Sequence, residues 1–328
     1  MASNFEHIWS GIGIESLLLA PFGGLYALGW WTYQSMYGLG LKKPYEPHIP
    51  VVTVGNLIAG GAGKSPTALF VADVLNRMDR EVVMSCSGYG FPRSVDATLA
   101  PDGELSAHEW GDEPAMVRML RPELPLVVGR DRVMAAKIVH QSHPGAVMLM
   151  DDGFQHLRLK QHLTVLLDGV PANPFCLPAG PYREPRSSGR KRGGLVLPND
   201  RMTLFRGGTV VQDRNGSLVS PQETNVLCAL ARPYRLTDTL VREGYVLRTV
   251  RNLPDHDPLT AGNLLTDFDR ETPLLVTAKD WVKLRDRKDL EGRSVLIANY
   301  EVRIEPLAEF EAWLQQQLNG IDQQETSK

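Results

Sequence analysis

Three glycines stand shortly before a lysine and a serine in the first quarter of the chain: Gly60, Gly61, Gly63, Lys64 and Ser65. Glycines let backbone N–H groups converge on phosphate oxygens, a lysine reaches the β- and γ-phosphates of a nucleotide, and a serine hydroxyl can ligate Mg²⁺. The spacing G-x-x-x-x-G-K-[ST] is not met, because Ile58 occupies the position of its first glycine. The residues therefore indicate either a phosphate-binding loop or a glycine-rich turn without a ligand.

The elements on either side of these glycines favour the phosphate-binding loop. Residues 49–54 form a β-branched apolar run that predicts a buried strand, and residues 65–78 predict a helix. The order strand, glycine loop, lysine, serine and helix places a helix N-terminus, with its positive potential, at the point where phosphate would bind.

Two carboxylates follow another apolar run, residues 146–150. Asp151 and Asp152 end that predicted strand directly before Gly153. A carboxylate at a strand tip can hold the Mg²⁺ of a nucleotide, directly or through water. An acidic cap on a turn gives the same pattern, so these two residues alone leave both interpretations open.

Two further groups have an ordinary and a functional interpretation. Asp112 and Glu113 begin a predicted helix, where acidic side chains often only compensate the helix dipole. His256 lies between two aspartates, which can raise its basicity, although surface histidines have the same neighbours in many sequences.

The pattern of apolar runs predicts an α/β fold. Short runs at 49–54, 81–86, 126–128, 146–150 and 163–167 are separated by helix-length segments. Such runs indicate a parallel sheet with helices on both faces, in which functional residues collect at the carboxyl ends of the strands. The second half has strands of its own, so we expect a P-loop NTPase-like domain joined by a β-hairpin linker to a second, smaller α/β domain.

The expected boundaries follow from composition and turn signals. Residues 1–43 form an apolar segment, 44–207 the first domain, 208–223 the linker around Asn215-Gly216, 224–319 the second domain, and 320–328 a frayed tail.

Composition limits the partners of this protein. The 328 residues carry a formal net charge of -3, which gives no support for a nucleic-acid-binding protein. Three widely separated cysteines fit no metal-binding spacing and indicate a reduced, cytoplasmic setting.

The N-terminal segment is apolar enough to involve a membrane. Residues 16–41 hold no charged side chain and would be long enough to cross a bilayer, but Pro21 and several glycines interrupt the run. We expect an aromatic-rich helix that lies in the membrane interface, with a true span and a helix packed on the first domain as alternatives.

Residues 183–192 are rich in arginine and predict either a solvated loop or a mobile loop that binds phosphate or anionic lipid head groups.

The order of short motifs carries a family resemblance that covers most of the chain. The motifs are GGxGKSP at 60–66, GYG at 88–90, GDEP at 111–114, DDGFQH at 151–156, PAGPxREP at 178–185, ARP at 231–233 and PDH at 254–256. Together they resemble the tetraacyldisaccharide 4′-kinases of lipid A biosynthesis, which also lack the first glycine of the phosphate loop. The resemblance implies an ATP- and Mg²⁺-dependent kinase, peripheral on the cytoplasmic face of the bacterial inner membrane, that phosphorylates the 4′-hydroxyl of a lipid disaccharide 1-phosphate.

The resemblance also implies roles for individual residues. Asp112 and His256 would be the catalytic pair, with Lys64 acting on the transferred phosphate. The remaining assignments are nucleotide contacts by Gly60, Gly61, Gly63, Lys64, Ser65 and Pro66, supporting polar roles in the nucleotide site for Glu113 and Glu184, and Mg²⁺ or phosphate contacts by Ser65, Asp151 and Asp152.

The chain departs from the family pattern at two places that matter for function. Ser87 stands where the family usually has an arginine, and Ala278 replaces a glutamate before Lys279.

Two other functions stay open on the sequence alone: a P-loop GTPase of the metal-chaperone type and a non-catalytic nucleotide-binding membrane adaptor. The GTPase is disfavoured because its guanine motif [NT]-[KQ]-x-D would need the lysine one position earlier than Lys279.

Overall fold

A computed structural model describes residues 6–61, 63–88 and 90–326 of the chain. Tyr89 of the expected Gly-Tyr-Gly turn lies outside the described residues, as do residues 1–5, 62 and 327–328. The described residues form an α/β structure with two sheets, one from each half of the chain, which confirms the predicted fold class.

The first sheet has seven strands in the order β3-β4-β2-β5-β1-β6-β7. Its strands are β1 Val51–Asn56, β2 Val82–Cys86, β3 Thr98–Leu99, β4 Leu126–Val128, β5 Val147–Asp151, β6 Leu163–Leu167 and β7 Leu195–Leu197. All neighbours are parallel except β3, which pairs antiparallel with β4. Every residue of β1, β2, β5 and β6 is buried, as continuous apolar strands covered on both faces must be.

Helices cover both faces of this sheet. They are α3 Lys64–Arg77, α4 Ala107–Trp110, α5 Asp112–Leu120, α6 Arg132–Ser142 and α7 Arg186–Arg192, with a short 3₁₀-helix at Pro92–Ser94. α3 and α5 contribute to one apolar core, whereas α6 packs its alanines and Val139 in a separate core on the opposite face. This two-sided packing holds the strand ends, and the loops after them, in fixed positions.

The N-terminal segment forms α1 Glu6–Trp9 and the long helix α2 Ile14–Gly38. α2 packs on the first half of the protein so closely at Gly23 that a Cβ there would lie 2.8 Å from the carbonyl oxygen of Cys176. Within residues 6–61, 63–88 and 90–326, no helix is both long and apolar enough to cross a membrane.

The second sheet has five strands in the order β10-β9-β11-β12-β8. Its strands are β8 Thr203–Asp213, β9 Glu223–Cys228, β10 Val246–Asn252, β11 Leu274–Thr277 and β12 Val295–Glu305. Its helices are α8 Pro233–Arg242, α9 Ala278–Leu284 and α10 Leu307–Thr326, with a 3₁₀-helix at Lys288–Leu290. β8 alone runs antiparallel to its neighbour, β12.

The segment expected to be a hairpin linker contributes to the second sheet. A tight turn does follow Asp213, whose backbone N–H donates to Ser217 at 2.9 Å. The strand before that turn is β8, which begins at Thr203 and pairs with β12 along most of its length. Because the pairing with β12 begins at Thr203, the second sheet starts before the expected boundary at residue 208.

The C-terminal helix returns to the first half of the chain. α10 reaches Thr326, past the expected start of a frayed tail at residue 320, and its Phe310 side chain lies 5.9 Å from the ring of Phe70 on α3. Its apolar residues belong to the same core as β1 and β5. The division into domains at the expected boundaries therefore stays a prediction, since this helix joins the two halves.

Candidate active site

The glycine loop lies between the end of β1 and the start of α3. Gly60 and Gly63 have φ angles of 90° and 84°, and Gly63 is the residue directly before the helix. Such angles favour glycine, and no atom lies within 4 Å of where a Cβ would stand at either position. The loop is therefore an open cradle at a helix N-terminus, with Lys64, Ser65 and Pro66 in the first helical turn.

The two aspartates at the end of β5 lie directly beside this cradle. β5 pairs with β1, and the Asp152 backbone N–H donates to Val54 at 3.0 Å. The Asp152 carboxylate accepts from Arg183 at 2.9 Å and lies 3.6 Å from the ammonium of Lys64. Burial works to raise the pKa of Asp152, but Lys64 and Arg183 outweigh it, so the pKa is lowered and the group stays ionised.

Asp151 has the opposite environment. Its side chain is buried, and its Oδ1 atom has no hydrogen-bond partner among the described residues. Burial and, to a smaller extent, the charge of Glu113 raise the pKa of Asp151 to about 7, although a hydrogen bond from Ser65 opposes the rise. A buried carboxylate with a free oxygen beside a serine hydroxyl offers the hard oxygen atoms that Mg²⁺ prefers.

This donor set is compatible with Mg²⁺ bound together with a nucleotide. In the part of the chain that the structure describes, no group of three or more histidine, cysteine, aspartate or glutamate side chains could hold a metal ion alone. Mg²⁺ usually takes one or two carboxylates and completes its shell with phosphates and waters. The site lacks an all-protein metal cage but fits a metal that arrives with phosphates.

A buried arginine fixes the carboxyl ends of two strands. The Arg132 guanidinium donates to Ser85 at 2.8 Å and to the Asp151 carbonyl oxygen at 2.9 Å. Burial lowers its pKa, although the neighbouring acidic groups oppose this. Sequence reasoning missed Arg132; the signal for it was the aspartate at position 131, which caps α6 and places the next side chain toward the sheet.

The second carboxylate centre is Asp112, at the first position of α5. Its carboxylate is buried and accepts a hydrogen bond from His256 Nδ1 at 3.0 Å. Two lysines of α9, Lys279 and Lys283, place their ammonium groups 3.8 and 3.9 Å from the same oxygen. Burial favours protonation, but the hydrogen bond from His256 and the two lysines lower the pKa of Asp112 to about 2.

The structure thus unites residues that lie 144 positions apart in the sequence. His256 has a φ angle of 62°, which turns its loop toward the first half of the chain. Its hydrogen bond to Asp112 raises the pKa of His256, while burial and Lys279 oppose the rise. Glu113 connects this centre with the cradle, because its charge acts on both Asp151 and Lys279.

Glu184 is placed differently from the other expected nucleotide-site residues. Its carboxylate is fully buried and forms two hydrogen bonds of 2.7 Å with Arg192. It also accepts from Trp30 and Gln34 of α2 and from Gln155. Glu184 therefore joins α2 and α7 to the base of the cradle.

Residues 186–192 of the arginine-rich segment form the helix α7 and not the expected loop. Arg186 and Arg190 both pair with Asp168, a buried carboxylate at the end of β6, and Arg192 pairs with Glu184. The expectation was wrong because the sequence does not show which buried carboxylates neutralise these side chains.

Arg235 of α8 is one more basic residue that sequence reasoning missed. It reaches the cradle and donates to the Gly61 carbonyl oxygen at 3.2 Å.

Taken together, the residues at this edge of the first sheet can bind a polyphosphate and hold a hydroxyl group beside it. The cradle and Lys64 supply positive potential, Asp151 supplies a free oxygen, and Asp112 supplies an ionised hydrogen-bond acceptor.

Comparison with known proteins gives one consistent family. The family model described as "Tetraacyldisaccharide-1-P 4'-kinase" matches residues 15–319. A tetraacyldisaccharide 4′-kinase of Shewanella amazonensis is 34% identical over 314 residues, covering 87% of this chain and 88% of the relative. A protein of the same name from Shewanella piezotolerans is 30% identical over 300 residues, covering 87% and 89%.

A solved structure has the same fold. The crystal structure of LpxK from Aquifex aeolicus in complex with ATP superposes with a TM-score of 0.77 at 24% identity, covering 92% of this chain and 99% of the other.

Proposed function

The chain belongs to the tetraacyldisaccharide-1-phosphate 4′-kinase family, and from this premise we propose how its residues perform the reaction. The protein is a kinase of lipid A biosynthesis that transfers the γ-phosphate of ATP to the 4′-hydroxyl of a tetraacyldisaccharide 1-phosphate. None of the relatives reported above is named as a GTPase or as an adaptor.

The observation that best supports the proposed roles is the position of Asp112 between the two halves of the chain. α5 presents the carboxylate, its neighbour Glu113 acts electrostatically on Asp151 at the cradle, and His256 and Lys279 hold Asp112 from the other half. A sugar hydroxyl that enters this space would donate its hydrogen bond to Asp112 while its oxygen faces the γ-phosphate. Positioning the hydroxyl and the γ-phosphate in this geometry accounts for much of the rate enhancement in phosphoryl transfer.

The proposed reaction exchanges one phosphorus–oxygen bond for another. The 4′-oxygen forms a bond to the γ-phosphorus, the bond from that phosphorus to the β,γ-bridging oxygen breaks, and ADP leaves. Lys64 offsets the negative charge on the transferred group, and Arg183 and Lys64 together hold Asp152 in place. The hydroxyl proton passes to Asp112 and then to solvent.

The low pKa of Asp112 defines what kind of base it is. A carboxylate with a pKa of about 2 stays ionised throughout the physiological range but holds a proton weakly. In a loose transition state the hydroxyl loses its proton late, so orientation matters more than basicity. We therefore assign Asp112 to orienting the hydroxyl and accepting its proton after the new bond has largely formed.

The residues that would hold Mg²⁺ are Asp151 and Ser65. The free Oδ1 atom of Asp151 and the neighbouring hydroxyl are suited to this ion, whereas Asp152 is already paired with two cations. When bound, Mg²⁺ supplies positive charge to the β- and γ-phosphate oxygens.

We also propose that α2 binds the cytoplasmic face of the inner membrane. Its outward side exposes large apolar residues that include Leu18, Phe22 and Leu25, between 59% and 71% accessible. Its other side is held by Tyr26, which donates to the Arg183 carbonyl oxygen, and by Glu184. An exposed apolar face on an anchored helix would lie in the lipid head-group region and bring the lipid substrate to the site.

The experiment that tests the catalytic roles is phosphate transfer in detergent micelles. Purified protein receives γ-labelled ATP, Mg²⁺ and tetraacyldisaccharide 1-phosphate, and the bisphosphorylated lipid is measured. Asp112→Ala should lower kcat by about 10²–10⁴-fold, since it removes the group that orients the hydroxyl and accepts its proton. ATP affinity should change little, because the cradle lies on other elements.

Asp238→Asn is the matched control, since this aspartate of α8 is exposed and its carboxylate forms no ion pair with any described residue. It should retain the parent rate. An Asp112→Ala protein that folds and transfers phosphate at the parent rate would remove Asp112 from the mechanism.

A further inference from the structure

Lys279 lies close to three groups of the cluster around Asp112, and holding that carboxylate does not by itself account for all three contacts. Its ammonium nitrogen lies 3.2 Å from Asp255 Oδ1, 3.2 Å from His256 Nε2 and 3.8 Å from Asp112 Oδ2. Only 15% of the side chain is accessible. It therefore sits inside the cluster, between both carboxylates and the imidazole.

The position of Lys279 in α9 is electrostatically unfavourable on its own. Thr277 caps this helix by accepting from the Asp280 backbone N–H at 3.1 Å, so Lys279 is in the first turn. A cation there opposes the helix dipole. Burial also works against its charge, but Asp112 and Asp255 outweigh burial and raise the pKa of Lys279. The ammonium form is thus held by its contacts with the cluster.

The geometry decides where the protons on His256 lie. Asp112 is an ionised acceptor, so the imidazole Nδ1 must carry the hydrogen of that 3.0 Å contact. On the other side of the ring, an ammonium 3.2 Å from Nε2 can only donate to a lone pair. A proton on Nε2 would place two donors against each other.

We propose that Lys279 is a positioning residue, which caps His256 Nε2 and so fixes the neutral Nδ1–H tautomer that orients Asp112. The inference rests on the proposed function, because it explains how the catalytic pair is arranged. Lys279 makes the pair a chain of four groups, Asp255, Lys279, His256 and Asp112, three of them from the second half of the chain. His256 then serves to hold Asp112 and is prevented from accepting the substrate proton itself.

The charges that face His256 come from three elements. Asp112 lies on α5, Asp255 precedes His256 in its own loop, and Lys279 lies on α9. Asp112 and Asp255 raise the pKa of His256, whereas Lys279 lowers it. Replacing Lys279 by a neutral residue must therefore move the protonation of His256 to higher pH.

The test is a titration of His256 that does not depend on catalysis. Long-range ¹H–¹⁵N spectra of histidine-labelled protein distinguish the two neutral tautomers from imidazolium, and a His256→Gln sample assigns the signal among the eight histidines. In the parent we expect the Nδ1–H tautomer at neutral pH. Lys279→Met should raise the midpoint by about one pH unit or more, the size expected when one close charge is removed. Lys279→Gln keeps an N–H donor without the charge and should retain the tautomer with a smaller shift.

Lys283→Met is the matched comparison. This lysine is as close to Asp112 as Lys279 is, but it donates to the Asp257 carbonyl oxygen and pairs with Asp280. It should leave the His256 midpoint nearly unchanged. In the transfer assay, Lys279→Met should lower kcat by about 10²-fold with little change in KM for ATP, because a displaced acceptor group affects chemistry more than binding.

Lys279→Arg should recover part of the lost rate and the parent tautomer. An unchanged His256 midpoint in folded Lys279→Met, or an equal shift in Lys283→Met, would overturn the role of Lys279. A parent protein that transfers no phosphate but shows the expected titration would instead contradict the proposed catalytic roles and leave the His256 arrangement established.

Discussion

Replacing Glu184 by glutamine should weaken the attachment of α2 and the stability of the whole protein. The carboxylate is fully buried and binds Arg192 through both oxygens at 2.7 Å. The substitution preserves volume but leaves the Arg192 guanidinium, which also packs 4.3 Å from the ring of Phe154, without its negative partner. Removing one member of a buried ion pair typically costs about 3–5 kcal/mol, so we expect the free energy of unfolding to fall by that amount.

The measurement combines urea unfolding with hydrogen exchange. Amides in the second half of α2 should exchange faster in Glu184→Gln, because Trp30 and Gln34 lose a charged acceptor. The matched control is Glu46→Gln, which breaks an exposed ion pair with Lys160 and should cost less than about 1 kcal/mol. The double variant Glu184→Gln with Arg192→Gln should lose less free energy of unfolding than the two single variants added together, since the double variant buries no unpaired charge.

Two results would refute this reasoning. An unfolding midpoint equal to that of the parent would show that the ion pair contributes nothing. A Glu184→Gln protein with parent stability and parent exchange in α2, but with weaker ATP binding, would show that Glu184 acts on the nucleotide, as the family resemblance implies.

Two further predictions address the cradle and the membrane face. Lys64→Ala should weaken ATP binding and also reduce phosphate transfer, because the same ammonium faces the phosphates in the ground state and during transfer. Isothermal titration measures the ATP affinity, and the micelle assay measures the transfer rate. Parent values in both measurements would contradict the proposed cradle. The triple variant Leu18→Ser, Phe22→Ser and Leu25→Ser should bind vesicles of inner-membrane composition at least about tenfold more weakly. The reason is that each exposed apolar side chain that enters the membrane interface contributes about 1 kcal/mol or more. Cosedimentation with vesicles equal to that of the parent would place the membrane contact elsewhere.

The sequence was sufficient for the local features of the fold. Continuous apolar runs predicted β1, β2, β4, β5 and β6 to within two residues at either end, because strands buried on both faces leave a clear composition signal. The loop before Lys64 was equally clear, since its glycines can be recognised without knowledge of distant contacts. The start of the second sheet was not predicted, because whether residues 203–207 pair with β12 depends on a partner about 100 positions later.

The charged residues of the site were harder to interpret from sequence. Asp112 and His256 were joined only through the family resemblance, since spacing alone does not bring residues 144 positions apart together. Lys279 entered the sequence argument only as a misplaced guanine-motif lysine, and Arg186 only as part of a basic run. Their roles depend on Asp255 and Asp168, partners that a single sequence does not identify.

The site divides between the two halves in a way that has consequences for catalysis. Most of the cradle is built from β1, α3 and β5, which all belong to the first half of the chain. Asp112 is different, because the shift of its pKa from 3.8 to about 2 comes from His256, Lys279 and Lys283. A shift of that size corresponds to about 2–3 kcal/mol in favour of the ionised, assembled arrangement. Because the folded pKa is the lower one, this contribution is present above about pH 4 and is lost as the pH falls toward 2.

An Asp112 without His256 and Lys279 would lack the neighbours that keep its carboxylate ionised and oriented. ATP in the cradle would then face no oriented acceptor group. Transfer to water is then disfavoured by the same division of residues that permits transfer to the lipid.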